Sequence, residues 1–344
     1  MSPQFGPSSY AASGDAAAAP GAAQTVAAID VGSNSIRMEI GEVLPGGDIE
    51  MLERVQRAVR LGQDTFRRGR LERRTMQVAI SILRDFRRML DFYNVDHLRA
   101  VATSAVREAL NSDTFLDRVL MATGIELEII DTAEESRLTV SAVRRGADKL
   151  IPKRGYALIV DVGGGSTLLT VLHKAQIAVS QSLRLGAIRL QEAILTGSET
   201  PATASELLGQ QIRNTVHTVQ SSLPLARART FIAVGGDARF AASQLAGDEQ
   251  PKRPAGIDPS RFDAFVAEIE ALAPEALARR YGIPFALAET LGVALLVYQQ
   301  LLHATRAGQM LVCDASMRDG LLLDLAREVT GQKDDALASG AVHS

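Results

Sequence analysis

The chain has 344 residues, enough for one very large domain or two ordinary ones. Apolar residues make up 46% of it and the net charge is −3, so the composition favours well-filled cores and argues against a nucleic-acid partner. The single cysteine, Cys313, excludes an intramolecular disulfide and favours a reducing compartment, so we expect a cytoplasmic protein. Because the apolar runs are shorter than the roughly 18–20 residues of a membrane span, we expect no membrane partner.

Both ends of the sequence have the composition of disordered tails. Residues 1–24 are rich in Ala, Ser, Gly and Pro and lack the basic start and apolar core of a secretion signal. Residues 331–344 have a similar composition. We therefore predict disordered tails over 1–24 and 331–344.

The first half of the folded region alternates strand and helix patterns. TVAAID and IRMEIGEV are apolar runs typical of strands, with the turn GSNS between them. The later predicted elements are a helix over Glu72–Tyr93, a strand at LRAVAT, a helix near Ser112–Ala122, a strand over Glu126–Asp131, and a helix with Thr132 as its N-cap.

The second half begins with ALIVDVG and LLTVLHK, two strand patterns joined by a glycine turn, and IAVSQSLRLGA resembles a third strand. Helices are predicted over Ala187–Leu195, Ala202–Ser221, Ala238–Leu245 (with Asp237 as N-cap), Arg261–Leu272, Leu287–Thr305 and Met317–Val329.

The two halves share one local design. TVAAIDVGSNSIRMEI and ALIVDVGGGSTLLTVL both have an apolar strand, an aspartate, a glycine-containing turn and a second apolar strand, about 130 residues apart. This period is far too long for a solenoid repeat. The pattern therefore predicts two like-folded halves facing each other across a cleft.

The two turns have the composition of phosphate-binding loops. Glycine lets an anion approach backbone N–H groups, and short polar side chains add donors. The candidate phosphate-binding residues are Gly32, Ser33, Asn34 and Ser35 in the first turn, and Gly163, Gly164, Gly165, Ser166 and Thr167 in the second. Asp30 and Asp161 precede the turns and are placed to hold Mg²⁺ together with phosphate oxygens. Each motif alone is equally compatible with a plain tight turn, but the pair favours phosphate binding.

These motifs resemble those of the exopolyphosphatase/guanosine pentaphosphate phosphohydrolase (Ppx/GppA) family. The likeness extends to VATSAVREALNSDTFLDRV, EIIDTAEESRL and SLRLGAIRL, and covers roughly residues 25–328. It implies an α/β protein with two actin-like domains (the ASKHA, ribonuclease H-like fold) across a cleft. Domain I would comprise 25–133 plus 313–330, and domain II 134–312. The chain lacks a His-Asp dipeptide and resembles the short family branch without an HD domain.

The resemblance implies an exopolyphosphatase, which releases terminal phosphate from inorganic polyphosphate by Mg²⁺-assisted attack of water; a related activity acts on pppGpp. It implies that Glu135 is the catalytic base and that Arg107 contacts phosphate. Among eight arginines between Arg54 and Arg74, the resemblance favours Arg60 as a further phosphate contact. The others are equally compatible with a solvated surface. The oligomeric state, including a homodimer, is left open.

One position departs from the family pattern. Where the family usually has a metal-binding glutamate after the second turn, this chain has Leu168. Two alternatives to the exopolyphosphatase therefore stand: a weakly active or inactive protein that binds polyphosphate or guanosine phosphates, and, less favoured, a small-molecule kinase of the same superfamily.

Overall fold

The computed structural model describes residues 23–194, 200–246 and 254–332. The predicted tails fall almost entirely outside the described residues. The exceptions lie at their inner edges, where Gln24 begins the first strand and Gly331 caps the last helix.

The first sheet has five strands in the order β3-β2-β1-β4-β5. The first three strands form an antiparallel meander, and β4 and β5 run parallel to β1. The elements of this part of the chain are β1 (Gln24–Val31), β2 (Ser35–Val43), β3 (Ile49–Ala58), α1 (Leu61–Arg68), α2 (Arg73–Phe92), β4 (His97–Ala102), α3 (Ser104–Arg107), α4 (Ser112–Thr123) and β5 (Glu128–Ile129).

The central position of β1 explains its apolar run. Ala27 and Ile29 pack into the cluster that contains α2, whereas Val26 and Ala28 pack on the opposite face. Because both faces of the strand are covered, alternation between apolar and polar residues is lost. Asp30 is the first acidic residue of β1, and it lies where the strand reaches the turn.

The second sheet has six strands in the order β10-β11-β9-β6-β7-β8. It repeats the antiparallel meander in β6–β8, with β9 parallel to β6. The remaining elements are α5 (Thr132–Ala147), β6 (Tyr156–Val162), β7 (Thr167–His173), β8 (Gln176–Leu183), α6 (Ala187–Ile194), α7 (Pro201–Gln220), β9 (Ala228–Val234), α8 (Gly236–Ala246), β10 (Ala255–Ile257), α9 (Pro259–Glu270), α10 (Pro274–Tyr281), α11 (Phe285–His303), β11 (Met310–Val312) and α12 (Met317–Thr330).

Two helices lie between the sheets. α12 packs its Leu321 and Leu322 against β1, and α5 contributes Leu138 to the same cluster. Gly320 of α12 approaches the backbone of α5 so closely that an added Cβ would lie 2.3 Å from the Leu138 carbonyl oxygen. Further along α5, Val140 and Val143 pack on the second sheet. This crossing of α5 and α12 joins the two halves and places the first turn of α5 at the cleft.

Several local predictions were wrong in detail. The N-cap of α5 is Asp131, whose side chain accepts a hydrogen bond from the Glu134 amide at 2.8 Å, so Thr132 is already helical. α8 begins at Gly236, which places Asp237 in its first turn and not at the N-cap. The predicted strand over Glu126–Asp131 is reduced to β5. Neither α1 nor α10 was predicted.

α11 is long and apolar enough to cross a membrane by length and composition alone, with a mean hydropathy of 1.5 over its most apolar window. The sequence analysis, which considered only uninterrupted apolar runs, did not predict a helix of this length and hydropathy. Its Leu291, Leu295 and Tyr298 are fully buried in the core of the second half. Packing inside the protein therefore accounts for the composition of this helix.

Candidate active site

The two glycine turns have the same hydrogen-bonding geometry. The Gly32 amide donates to the Ser35 carbonyl oxygen at 3.1 Å, and the Gly163 amide donates to that of Ser166 at 2.9 Å. An added Cβ at Gly32 or Gly163 would lie within 3.3 Å of the same carbonyl oxygen. The repeated sequence design therefore produces a repeated turn at the end of each central strand.

The turns leave backbone N–H groups available for a ligand. Three α6 amides donate to the carbonyls of Gly163 and Gly164, at 2.9–3.1 Å. In the described parts of the chain, the amides of Ser33, Asn34, Gly164 and Gly165 have no hydrogen-bond acceptor. Unpaired backbone donors are rare inside proteins unless solvent or a ligand satisfies them. The geometry therefore suits an anion at the cleft.

The turns also contact each other across the cleft. An added Cβ at Gly165 would lie 2.6 Å from Ser33 Oγ and 2.3 Å from Ser104 Oγ. Ser33 and Ser104 are themselves 3.3 Å apart through their hydroxyl groups. Gly186 packs directly on the second turn, since its added Cβ would be 2.1 Å from the Gly165 carbonyl carbon. Only glycine fits at 165 and 186 in this closed arrangement.

Arg189 fastens the second turn to the first half. Its Nε donates to the Gly165 carbonyl at 2.6 Å and its Nη2 donates to Glu108 Oε1 at 2.5 Å. Its guanidinium carbon lies 3.9 Å from the centre of the Phe66 ring, within the range of a cation–π contact. Arg189 is almost fully buried, so this clamp excludes water from the back of the turn.

Glu135 lies in the first turn of α5 and is paired with Arg107. Arg107 Nη1 donates to Glu135 Oε1 at 2.5 Å and to the Ile130 carbonyl at 2.6 Å. Burial raises the pKa of Glu135, the ion pair with Arg107 opposes this, and the charges of Asp161 and Asp30 add to the increase. The sequence-predicted pair is thus brought together, 28 residues apart in the chain.

The adjacent Glu134 is in a different environment. Hydrogen bonds, first from Arg137 and then from Arg99, lower the pKa of Glu134 to about 2. Both arginines also contact Asp324 of α12. When the surroundings lower the pKa of one carboxylate and raise that of its neighbour, the two side chains are suited to different roles. Glu134 belongs to an ion network that holds α5 to α12, and Glu135 is the candidate base.

Asp30 is held by an arginine that the sequence analysis missed. Arg318 Nη1 lies 3.2 Å from Asp30 Oδ2, and its Nε donates to Glu39 at 2.9 Å. Arg37 stands directly opposite Asp30 in the β1–β2 register and therefore projects from the same face. The position of Arg37 was accessible from sequence, because the turn fixes the hairpin register. Arg318, 288 residues from Asp30, was not.

Asp161 lies at the equivalent end of β6. Burial raises the pKa of Asp161 to about 6, against the attraction of Arg239 and Arg37 and with the repulsion of Asp30. The same cause raises the pKa of Asp237 to about 6, and its Oδ1 is a buried acceptor without a partner among the described residues. The cleft is thus lined by carboxylates that are costly to ionise without a cation or a proton.

The chain matches the family model of the Ppx/GppA phosphatase family over residues 39–329. It belongs to that family. It is 35% identical over 225 residues to exopolyphosphatase 2 of Mycobacterium tuberculosis, covering 61% of this chain and 67% of the relative. It is also 28% identical over 328 residues to exopolyphosphatase 1 of the same organism, covering 92% of each chain.

A crystal structure of an exopolyphosphatase from Cytophaga hutchinsonii superimposes with a TM-score of 0.80 at 22% identity, covering 89% of this chain and 98% of that one. At this identity the likeness shows the fold alone. Three predictions for this chain are confirmed: the Ppx/GppA membership, the phosphoanhydride hydrolase class, and the α/β fold with two actin-like halves.

Leu168 of this Ppx/GppA protein stands directly opposite Asp161 in the β6–β7 register, so both side chains project from one face of the sheet. Thr170, on the same face, contacts Ser136 of α5 through its hydroxyl at 2.5 Å. That face is therefore the one covered by α5. Leu168 is only 6% exposed and offers no oxygen where a third carboxylate would reach the cleft.

Arg60 is paired with an acidic residue of the second half. Its Nη2 donates to Glu289 Oε2 of α11 at 2.9 Å, and half of its side chain is exposed. The ion pair joins the first half to the second, beside a hydrogen bond from Gln191 to the Glu289 carbonyl. The contact of Arg60 with phosphate stays a prediction.

The donor set suits Mg²⁺ bound jointly with a phosphate ligand. Asp30 and Asp161 supply the two carboxylates, a number sufficient for Mg²⁺ when substrate oxygens complete its coordination. Within the described ranges, no group of three or more acidic, histidine or cysteine side chains is assembled for a metal. The residues therefore fit a metal that enters with its substrate better than a permanently bound one.

Proposed function

We propose that the protein is an exopolyphosphatase that releases the terminal phosphate of inorganic polyphosphate by attack of water. The observation that carries this proposal is the meeting of two glycine turns, with unpaired amides, beside Ser104 of α3, the helix whose Arg107 is paired with Glu135. The family membership and the names of the relatives support it.

Phosphoryl transfer requires mainly positioning and electrostatic stabilisation, and the cleft supplies both. The amides of Ser33, Asn34, Gly164 and Gly165 would bind the phosphate oxygens near the scissile bond. Arg107 has further N–H donors beyond those used on Glu135 and Ile130, so it can reach a phosphate oxygen while orienting the base. The clamp of Arg189 holds the second turn in place.

Glu135 would take a proton from the attacking water as the new phosphorus–oxygen bond forms and the anhydride bond breaks. The shortened polyphosphate leaves with the bridging oxygen. The raised pKa of Glu135 favours this role, because a more basic carboxylate is a better proton acceptor than an ordinary one. Mg²⁺ held by Asp30 and Asp161 would offset the negative charge of the phosphate oxygens.

The test is phosphate release from polyphosphate, with and without Mg²⁺, by the wild type and by Glu135→Gln. We expect Glu135→Gln to lower turnover by roughly 10²–10⁴-fold, because proton transfer is lost while the charge-neutral side chain keeps its size. Polyphosphate binding, measured by calorimetry, should survive.

Glu134→Gln is the matched control, since it changes the neighbouring residue in the same way. Its loss of ion pairs with Arg99 and Arg137 should reduce thermal stability more than turnover. Near-normal turnover of Glu135→Gln would remove the assignment of the base. Binding without any Mg²⁺-dependent release by the wild type would favour the inactive binder instead.

A further inference from the structure

Helix α11 supports the second glycine turn from behind through Tyr298. The ring of Tyr298 is fully buried in the core of the second half. Its hydroxyl group donates to the Val234 carbonyl oxygen and accepts from the Val162 amide at 3.1 Å. Val162 stands between Asp161, a candidate metal ligand, and Gly163, the first residue of the turn. One buried hydroxyl is therefore attached to the backbone beside both.

This hydroxyl lies where two neighbouring strands diverge. The parallel pairing of β6 and β9 ends at Asp161 opposite Val234. β6 then enters the second glycine turn, and β9 enters Gly235 and α8. Because the hydroxyl is inserted between an amide of one strand and a carbonyl of the other, it keeps the strands further apart than a direct hydrogen bond would. It thus sets the distance between the two strand ends at the cleft.

Gly235 brings this hydroxyl and the carboxylate of Asp161 to the same point. An added Cβ at Gly235 would lie 3.0 Å from Tyr298 Oη and 3.3 Å from Asp161 Oδ1. The φ angle of Gly235 is +110°, which a residue with a side chain rarely adopts. The hydroxyl and the carboxylate are therefore packed against one glycine, with little room for a side chain at that position.

The hydroxyl of Tyr298 keeps its proton. Burial raises the pKa of Tyr298, and the charge of Asp161 adds to the increase. The phenol is therefore protonated at neutral pH and donates to the Val234 carbonyl. Removing the hydroxyl would leave the Val162 amide and the Val234 carbonyl without this partner, and an unsatisfied buried backbone group is costly. We therefore expect the backbone beside Asp161 to shift when the hydroxyl is lost.

A second contact of α11 supports the turn through α6. The backbone carbonyl of Glu289, nearer the start of α11, accepts a hydrogen bond from Gln191 of α6. Amides of α6 in turn donate to the carbonyls of Gly163 and Gly164 at 2.9–3.1 Å. The turn is thus supported by α11 directly at Val162 and, through α6, at its glycines.

We infer that Tyr298 is a positioning residue, whose hydroxyl fixes Asp161 and the second glycine turn in the arrangement that binds Mg²⁺ together with phosphate. The inference rests on the proposed function and adds to it a residue that acts through its neighbours. Groups that are held in place before binding lose less freedom when they bind, so affinity rises. Loss of the hydroxyl should therefore weaken the binding of Mg²⁺ and phosphate and leave proton transfer to Glu135 nearly unchanged.

The experiment replaces Tyr298 with phenylalanine, which keeps the buried ring and removes only the hydroxyl. Tyr281→Phe is the matched control, because Tyr281 lies in the same half and donates its hydroxyl to the Glu268 side chain at 2.8 Å. Leu301→Val is a second control, because Leu301 is fully buried on the same helix and its truncation lowers stability without removing a hydrogen bond.

Three quantities are measured for each protein. Phosphate release from polyphosphate is followed over a range of Mg²⁺ concentrations, and thermal unfolding reports stability. Calorimetry measures the binding of tripolyphosphate in excess Mg²⁺, with Glu135→Gln added to every protein so that the ligand is not consumed.

We expect Tyr298→Phe to raise both the Mg²⁺ concentration for half-maximal release and the KM for polyphosphate roughly three- to tenfold, as for loss of a hydrogen bond. The dissociation constant of tripolyphosphate should rise by a similar factor, and kcat at saturating Mg²⁺ and polyphosphate should change little. Both controls should keep the wild-type affinities, even though Leu301→Val unfolds at a lower temperature. Wild-type affinities for Mg²⁺ and tripolyphosphate in folded Tyr298→Phe, whatever its stability, would overturn the inference.

Gly235→Ala tests the same contact by a second route, should Tyr298→Phe fail to fold. Its methyl group would lie 3.0 Å from the hydroxyl and 3.3 Å from the Asp161 carboxylate, so we expect the same rise in the Mg²⁺ requirement. Wild-type values for Gly235→Ala would refute the inference. Weaker binding by Gly235→Ala alone, with a folded Tyr298→Phe at wild-type affinity, would show that the hydroxyl is dispensable.

Calorimetry separates this inference from the proposed function. If the wild type binds tripolyphosphate but releases no phosphate, the proposed function fails. Weaker binding by Tyr298→Phe than by the wild type would still support the positioning role, and equal binding would refute it. A wild type that neither binds nor hydrolyses would remove both.

Discussion

Replacing Asp161 with asparagine should stabilise the metal-free protein at pH 7 while abolishing Mg²⁺-dependent phosphate release. The reason is the cost of an ionised carboxylate in the cleft. The pKa of Asp161 is raised from 3.8 to about 6, and this net increase already includes the attraction of Arg239 and Arg37. Asparagine has nearly the same shape and carries no charge.

The expected gain in the free energy of unfolding follows from the increase in the pKa of Asp161. A difference of about two pKa units corresponds to about 3 kcal/mol between the folded and unfolded states above both pKa values. Asp161 is partly exposed to the cleft, so solvent screening reduces the expected gain to about 1–2 kcal/mol. For a protein of this size the melting temperature should rise by about 1.5–3 °C.

The sign of the pH dependence provides a second check. Because the folded-state pKa is the higher one, the folded protein binds the extra proton between about pH 4 and pH 6, and the wild type loses stability as pH rises through that window. The advantage of Asp161→Asn should therefore be full at pH 7 and should shrink as the pH falls toward 4.

The assay is thermal unfolding in EDTA from pH 4.5 to 7.5. Asp48→Asn, at an exposed carboxylate that pairs with Arg145, is the control and should change stability little at any pH. A lower melting temperature for Asp161→Asn at pH 7, or an advantage that grows in acid, would refute the reasoning about burial.

The remaining predictions concern Leu168 and Arg189. Leu168→Glu should lower the Mg²⁺ concentration for half-maximal phosphate release, because residue 168 shares a sheet face with Asp161; unfolding of this variant, compared with the conservative Leu168→Met, would show that the position tolerates only apolar side chains. Arg189→Gln should lower kcat/KM by about tenfold by loosening the second turn. Arg184→Gln, which removes a more exposed contact with the same Glu108, should be close to wild type, and equal losses in both would contradict the clamp.

The features predicted correctly are those specified by local sequence. Each glycine turn is encoded within a few residues, since an apolar strand, an aspartate and a glycine turn fix a hairpin. The same holds for α2, whose predicted range differs from the observed Arg73–Phe92 by one residue at each end. The resemblance located Glu135 and Arg107, and the structure places them in contact.

Contacts between residues that are far apart in the sequence could not be predicted. The Arg318 contact with Asp30 and the Arg60 contact with Glu289 each join residues more than 200 positions apart. α1 escaped prediction because LGQDTFRR is polar over most of its surface and is held in place by Gly62, whose added Cβ would lie 2.9 Å from Ser33 Cβ. Its helical state depends on packing against the first turn, which propensity does not register.

The Arg189 clamp and the pair of Arg107 and Glu135 are linked through consecutive residues, because Arg107 ends α3 and Glu108 is its C-cap. Arg107 binds Glu135, and Glu108 binds Arg189, whose Nε holds the Gly165 carbonyl. Opening the cleft would separate Arg189 from Glu108 and, at the same time, free the end of α3 that carries Arg107. The same contacts between the halves therefore hold the second glycine turn and the candidate base. Under the proposed mechanism, water would attack only in the state in which both halves hold the phosphate chain.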